Sequence, residues 1–280
     1  MRVIPYDASR QALYHPETGE TVFPLPRKPS DDLICAEASR LAYKLFESVP
    51  SEREKIEQAL ANVGFREFEP FNQDSSQGFA MWNAEQETAL VAFRGTQQDF
   101  GDFADDLNAL KRDWPQGGWV HGGFLEAFNT IWPGIDAWLG NHPGKRLFTG
   151  HSLGAALATL AASTKRTDPV TLITIGSPRV GNAEFASTLT GVQMTRYVDC
   201  CDLVCRVPPA IFGFQHVIAE SYIDHDGHVR KGSAEAEIQQ DQHAGREDYF
   251  LHHSWKKGEV DVRDLADHAP INYVNVLLSA

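Results

Sequence analysis

The sequence is organised around Gly150-His151-Ser152-Leu153-Gly154, a G-x-S-x-G pentapeptide. Residues 145–149 before it are typical of a short strand, and the alanine-rich residues 155–162 after it favour a helix. In this strand–turn–helix context the serine is held in a strained turn with its hydroxyl directed into a cleft. We therefore predict that Ser152 is a nucleophile. The alternative is an ordinary strand-to-helix turn in which a serine stands between two glycines.

Apolar runs alternate with helical segments along the chain. Residues 89–93, 170–175 and 194–198 are nearly continuous apolar runs, as expected for strands buried on both faces of a mostly parallel sheet. Helical patterns lie between them, at 123–140 (with a break near Pro133), 153–165 and 182–190. This alternation predicts an α/β fold of the α/β-hydrolase type, with a mostly parallel central sheet and helices on both faces.

Two more helices are expected in the first quarter of the chain. Ser30 is placed to cap a helix that starts at residue 31. Ser51 and Glu54 have the spacing of a capping box, which predicts a second helix to about residue 62.

Length and composition indicate a single globular domain over residues 1–280. Hydrophobic residues make up 42% of the chain and charged residues 22%, an ordinary globular mixture. Within this domain we expect an extended arm at 1–30, a lid region at 97–119 and a surface excursion at 224–264. The net charge of −13 argues against nucleic acid as a partner, and against binding to an anionic membrane by charge alone. Any approach to lipid would be apolar.

The cysteines and the first residues suggest a reducing compartment. Residues 1–10 lack the apolar segment of a signal peptide, and no run approaches the 18 apolar residues of a membrane span. The four cysteines, three of them at 200–205, suit neither a disulfide framework nor spaced zinc ligands. We expect free thiols and a cytoplasmic protein. A leaderless or processed secreted form is the alternative.

A serine alcohol needs a base and an orienting carboxylate before it can attack an ester. In this fold class the chain order is Ser, then Asp or Glu, then His. Asp199 and Asp202 both follow the strand predicted at 194–198. Spacing alone does not choose among the downstream histidines, which are His216, His225, His228, His243, His252, His253 and His268.

Six ordered motifs resemble the class 3 lipase family. They lie at 93–96 (F-R-G-T), 120–125 (V-H-G-G-F-L), 150–154, 176–182 (G-S-P-R-V-G-N), 202–209 (D-L-V-C-R-V-P-P) and 267–273 (D-H-A-P-I-N-Y). The 202–209 segment departs from the family pattern at Cys205, where the family has proline. The resemblance implies a serine ester hydrolase with an α/β-hydrolase fold and no cofactor. Residues 1–85 and 224–264 contribute little to it.

The resemblance also assigns the site. It implies a catalytic triad of Ser152, Asp202 and His268, with Asp199 as the rival carboxylate. The oxyanion hole would consist of the Leu153 N–H, which directly follows the nucleophile, and of Thr96.

An amphipathic helix is predicted over residues 97–110. Phe100, Phe103, Leu107 and Leu110 fall at helical spacing, and aspartates fill the outer face. In the resembling family this segment is a lid over the active site, so we expect transient contact with lipid through it. The alternative is a surface helix packed permanently on the core. Trp114 and Trp119 are either hinge or interfacial residues, or plain core.

We expect fatty-acyl esters as substrates. Ile211, Phe212 and Phe214 follow the triad aspartate, and they either line an acyl pocket or belong to the core. The sequence does not separate triglyceride, monoglyceride, phospholipid and aryl or feruloyl esters.

Two other classes of function compete with this interpretation. One is a metal site formed by Asp224, His225, Asp226 and His228 with His252 and His253. The other is a non-catalytic binding protein on the same fold.

Overall fold

The computed structural model describes residues 4–95 and 111–280. Thr96 and the helix predicted at 97–110 lie outside this part of the chain. The helices of the described part are α1 (Arg10–Tyr14), α2 (Asp31–Leu41), α3 (Pro50–Ala61), α4 (Gly122–Gly140), α5 (Leu153–Thr164), α6 (Ala183–Ser187), α7 (Glu235–His252), α8 (Arg263–Ala266) and α9 (Pro270–Ser279). Short 3₁₀ turns lie at Pro16–Thr18, Val204–Arg206 and Ala210–Phe212.

The strands are β1 (Arg66–Gln73), β2 (Ser76–Asn83), β3 (Thr88–Phe93), β4 (Lys111–Asp113), β5 (Trp119–His121), β6 (Lys145–His151), β7 (Val170–Ile175), β8 (Gln193–Asp199), β9 (Ser221–Ile223) and β10 (Val229–Lys231). Eight of them form one sheet in the order β1-β2-β3-β6-β7-β8-β9-β10. The strands from β3 to β9 in this order are parallel, and antiparallel pairs close both edges. The predicted α/β architecture is confirmed.

Burial on both faces explains the continuous apolar runs. On β3, Leu90 belongs to the core formed with α2, α3 and α9, while Val91 belongs to the core formed with α4 and α5. Successive strand residues point to opposite faces, so a strand covered on both faces has apolar residues in consecutive positions. The carboxyl ends of β6 and β8 lie at the same edge of the sheet, where ligands bind in open α/β folds.

Helix boundaries follow local chemistry, and three expectations about them were wrong. The Ser30 hydroxyl does accept the Leu33 N–H and starts α2. The capping box at Ser51, however, is absent, because α3 already begins at Pro50, whose fixed φ suits the first helical turn. Helix α4 runs unbroken through Pro133, which is exposed, so water can satisfy the carbonyl that loses its donor. Helix α6 covers only part of 182–190.

The segment 224–264 contributes more structure than a surface excursion. It completes the β9–β10 pair at the sheet edge and forms the 18-residue helix α7. Most of α7 is exposed, but Tyr249 is buried and donates to the Val260 carbonyl at 2.6 Å. No helix within residues 4–95 or 111–280 is both long and apolar enough to cross a membrane.

Candidate active site

Ser152 lies at a sharp turn between β6 and α5. Its backbone has φ 58° and ψ −127°, a strained conformation for a residue with a side chain. The two flanking glycines permit this turn. A Cβ at residue 150 would lie 2.2 Å from the Gly154 carbonyl carbon, and a Cβ at residue 154 would lie 2.2 Å from the Phe93 carbonyl oxygen. The G-x-S-x-G sequence is therefore required by close packing of α5 on β3 and β6.

Asp202 and His268 form a fully buried pair. The His268 Nδ1 lies 2.9 and 2.8 Å from the two Asp202 carboxylate oxygens. Because a carboxylate only accepts, Nδ1 carries the proton, and in the neutral ring Nε2 is left with the lone pair of a base. Asp202 also accepts from the Tyr273 hydroxyl at 2.5 Å and from the Val204 N–H at 2.9 Å. Between the two candidate aspartates, Asp202 is the one placed to orient His268.

Asp202 is held in its charged form. Burial alone would raise its pKa, but the charge and hydrogen bond of His268, together with the Tyr273 hydroxyl, hold the pKa below its usual range. A buried carboxylate with these partners favours the imidazolium that forms when His268 takes a proton.

His151 connects the turn at Ser152 to the loop that carries His268. Its Nε2 donates to the His268 carbonyl at 2.8 Å, so its Nδ1 accepts from the Tyr43 hydroxyl at 2.8 Å. Burial first, and then repulsion between the two rings when His268 takes a proton, lower the pKa of His151 well below its ordinary value, which keeps it neutral. The two histidine rings lie 4.3 Å apart, so the His268 ring sits against the residue that precedes Ser152.

A second buried ion pair fixes the backbone beside His268. Asp267 accepts from Arg263 Nε at 3.0 Å, from the Tyr6 hydroxyl at 2.7 Å and from the Cys201 N–H at 2.9 Å. Asp267 precedes His268, and Cys201 precedes Asp202. The ion pair therefore ties the two loops that supply the base and its carboxylate.

Of the two residues predicted to form the oxyanion hole, Leu153 lies within the described part of the chain and Thr96 does not. Leu153 is the first residue of α5, and N–H groups in the first turn of a helix have no carbonyl partner within the helix. Its N–H therefore has no acceptor within the helix, and its role toward an oxyanion stays a prediction. The role of Thr96 stays a prediction.

The aromatic and aliphatic candidates separate into core and surface. Trp114 is buried, packs against Phe185 and donates to Ser163 Oγ at 2.9 Å, so it belongs to the core. Phe214 is likewise buried. Ile211, by contrast, is 89% exposed at the tip of a 3₁₀ turn.

The histidines and aspartates of the alternative metal site do not converge. Asp224 is buried and accepts from Arg230 at 2.7 Å, whereas His225 contacts Asp241 at 2.6 Å. His253, which directly follows α7, pairs with Glu259. These side chains are explained by separate ion pairs.

Two tyrosines that bind residues of the site, Tyr43 and Tyr273, were not predicted from the sequence. Tyr43 lies 108 residues before His151, and nothing in its local sequence marks it. Tyr273 was visible as the last residue of the D-H-x-x-x-x-Y motif, and its role becomes clear only from its contact with Asp202.

A mostly parallel sheet with a strained serine after a central strand and a buried Asp–His pair at the same edge defines an α/β hydrolase. Residues 90–212 match the family model described as Lipase (class 3). Over this segment the chain is similar to the class 3 lipase family.

Individual relatives agree with this assignment. A lipase from Rhizopus niveus is 36% identical over 161 residues, 52% of this chain and 41% of that protein. The secreted mono- and diacylglycerol lipase 1 of Fusarium solani is 40% identical over 139 residues, 46% of this chain and 39% of that protein. The solved structure of lipase II from Rhizopus niveus aligns with a TM-score of 0.58 at 28% identity, covering 74% of this chain and 86% of that one. The chain spans about two fifths of the length of the curated relatives it matches.

Proposed function

We propose that the protein hydrolyses carboxylic esters of lipids through an acyl-enzyme intermediate. The observation that carries this proposal is the buried Asp202–His268 pair at the sheet edge where the strained Ser152 turn stands. A serine alcohol that is next to such a pair gains the base that it lacks in water.

Each residue has a defined step. His268 removes the proton from Ser152 as its oxygen attacks the ester carbonyl, and then returns that proton to the leaving alcohol. Water, activated by the same histidine, then releases the acid. The Leu153 N–H, and in our proposal Thr96, stabilise the negative oxygen of each tetrahedral intermediate.

Lipid esters are the proposed substrate class. The relatives are named as lipases, and one of them as a mono- and diacylglycerol lipase. Ile211 and Phe212, exposed beside the segment that bears Asp202, offer apolar surface to such a substrate. Phospholipid and aryl esters share the chemistry and differ only in the group that leaves or the acyl chain that is held.

The substrate class can be tested with esters of graded chain length. We expect p-nitrophenyl esters and emulsified triglycerides to be hydrolysed, with a preference for chains longer than acetate. Ser152→Ala should lower turnover by several orders of magnitude, on the scale of triad deletions. Ser51→Ala, which changes an exposed serine on α3, is the matched control and should keep full activity. A Ser152→Ala protein that retains more than a few per cent of activity would contradict the proposal.

We also propose that residues 97–110, which the sequence predicts as a lid, contact lipid through their apolar side chains. Exposing Phe100 and Phe103 to water would cost roughly 1.5–3 kcal/mol for each side chain, and a lipid surface removes that cost. Phe100→Asp combined with Phe103→Asp should therefore weaken hydrolysis of emulsified long-chain ester while sparing soluble short-chain ester. The control is Phe250→Asp, at an exposed site on α7. An unchanged ratio of the two activities would contradict a lid.

For the compartment we propose the cytoplasm. All four cysteines are buried free thiols, which suits a reducing environment. Fractionation of the native host would test this, and recovery of the protein outside the cell would contradict it.

A further inference from the structure

A polar pocket of about 500 Å³ is lined in part by Asp202. Its wall is built from the end of β8, from residues 205–222 and from the first turns of α7. Three guanidinium groups line it, those of Arg179, Arg196 and Arg206. Three carboxylates, those of Asp202, Glu220 and Glu235, line the same pocket.

Two of the three arginines lack a carboxylate partner among the described residues. Arg179 donates to the carbonyls of Arg206 and Pro208, and Arg206 donates to Gln242 Oε1 at 2.5 Å. Arg196, only 4% exposed, binds Glu220 at 2.6 Å. The Asp202 oxygens accept from His268 and Tyr273.

The arginines of this pocket lie close enough to act on one another and on His216. Burial, and then the charges of Arg196 and Arg206, lower the pKa of Arg179. Burial and the charge of Arg196 also lower the pKa of His216, which lines the same wall, to about 3. His216 is therefore neutral near pH 7, and its Nε2 donates to the Cys205 carbonyl at 2.8 Å.

We propose that this pocket is a binding site for a small organic or inorganic oxyanion, a phosphate or carboxylate group held by Arg179, Arg196 and Arg206. The planar guanidinium matches both groups with paired hydrogen bonds. Val198 and Ile238 in the lining leave room for a short apolar portion. The site does not depend on the ester-hydrolase proposal, since its contacts use none of the hydroxyl or imidazole groups of that reaction.

The test is calorimetric titration of the full chain with inorganic phosphate at constant ionic strength, balanced with sodium chloride. We expect saturable binding of one phosphate. Removing one charge-assisted hydrogen bond in Arg206→Gln should weaken it about tenfold or more. Arg53→Gln, on the exposed face of α3, should leave binding unchanged. Glu220→Gln frees Arg196 and should tighten binding, which provides a readout in the opposite direction if Arg206→Gln folds poorly.

Parallel titrations with glycerol 3-phosphate and acetate distinguish the source of the oxyanion. Stronger binding of glycerol 3-phosphate than of inorganic phosphate would support a phosphate ester as the ligand, and stronger binding of acetate would support a carboxylate. Absence of saturable binding by all three, or equal phosphate affinity in Arg206→Gln, Glu220→Gln and the parent, would overturn the proposal. Because binding is measured directly, a failure of ester hydrolysis does not affect the result.

Discussion

Tyr273→Phe isolates the contribution of one hydroxyl to the buried Asp202–His268 pair. The Tyr273 hydroxyl donates to Asp202 at 2.5 Å and accepts the Asp199 N–H at 3.0 Å. A hydrogen bond to a charged group contributes about 1.5–3 kcal/mol, and the Asp199 N–H left without this acceptor adds to the cost. We therefore expect the free energy of unfolding to fall by about 2–4 kcal/mol at pH 7.

The loss of unfolding free energy in Tyr273→Phe should also depend on pH. The pKa of Asp202 is depressed in the folded protein, so its contribution is complete above the unfolded value of about 3.9 and is lost as pH falls through the folded pKa. Without the Tyr273 hydroxyl the folded pKa should rise. The stability difference between parent and variant should then shrink as pH falls through the folded pKa of Asp202 in each protein.

Denaturant unfolding between pH 3 and 7 measures this difference. The matched control is Tyr249→Phe, which removes a buried hydroxyl bound to the uncharged Val260 carbonyl. Its destabilisation, about 1–2 kcal/mol, should not vary over the same pH range. If the Tyr273→Phe difference were equally constant with pH, Asp202 would not be the charged partner that the reasoning requires.

Three further predictions follow from the contacts. Gly154→Ala would place a methyl group 2.2 Å from a backbone oxygen and should prevent folding or cost several kcal/mol, measured by denaturant unfolding, whereas Gly140→Ala meets no atom within 4 Å and should fold normally. Asp202→Asn should lower turnover about 10⁴-fold by favouring the wrong His268 tautomer, and Asp199→Asn should cost far less, so an equal loss in both would contradict the assignment. Arg263→Gln leaves its buried carboxylate partner uncompensated and should destabilise by about 3–5 kcal/mol, and a change below 1 kcal/mol would show that the ion pair is dispensable.

The elements nearest in sequence to the pentapeptide were the most predictable. The turn at Ser152 depends on five consecutive residues, and β6 and α5 on its two sides have unambiguous local propensities. The central strands were found because residues buried on both faces must be apolar throughout. In contrast, β1 was missed because it pairs at the sheet edge and most of its residues are exposed.

The long-range parts of the site could not be derived from local pattern. His268 lies 66 residues from Asp202, and seven histidines satisfied the required chain order. Only the family motif distinguished it. The Tyr43–His151 hydrogen bond joins a residue just after α2 to the last residue of β6, 108 residues later. A contact over this distance in sequence cannot be predicted from local periodicity. Arg179, Arg196 and Arg206, which line the proposed phosphate or carboxylate site, likewise come from three separate segments of the chain.

Covalent labelling of the serine shows directly whether Ser152 is a nucleophile activated by His268. The protein would be treated with a fluorophosphonate at pH 7.5 and digested, and the modified residue located by mass spectrometry. We expect a single adduct on Ser152 and labelling that is at least a hundredfold slower in His268→Ala. His243→Ala, which changes an exposed histidine on α7, is the control and should be labelled at the parent's rate. An adduct on another serine, or equally fast labelling of Ser152 without His268, would contradict these roles of Ser152 and His268.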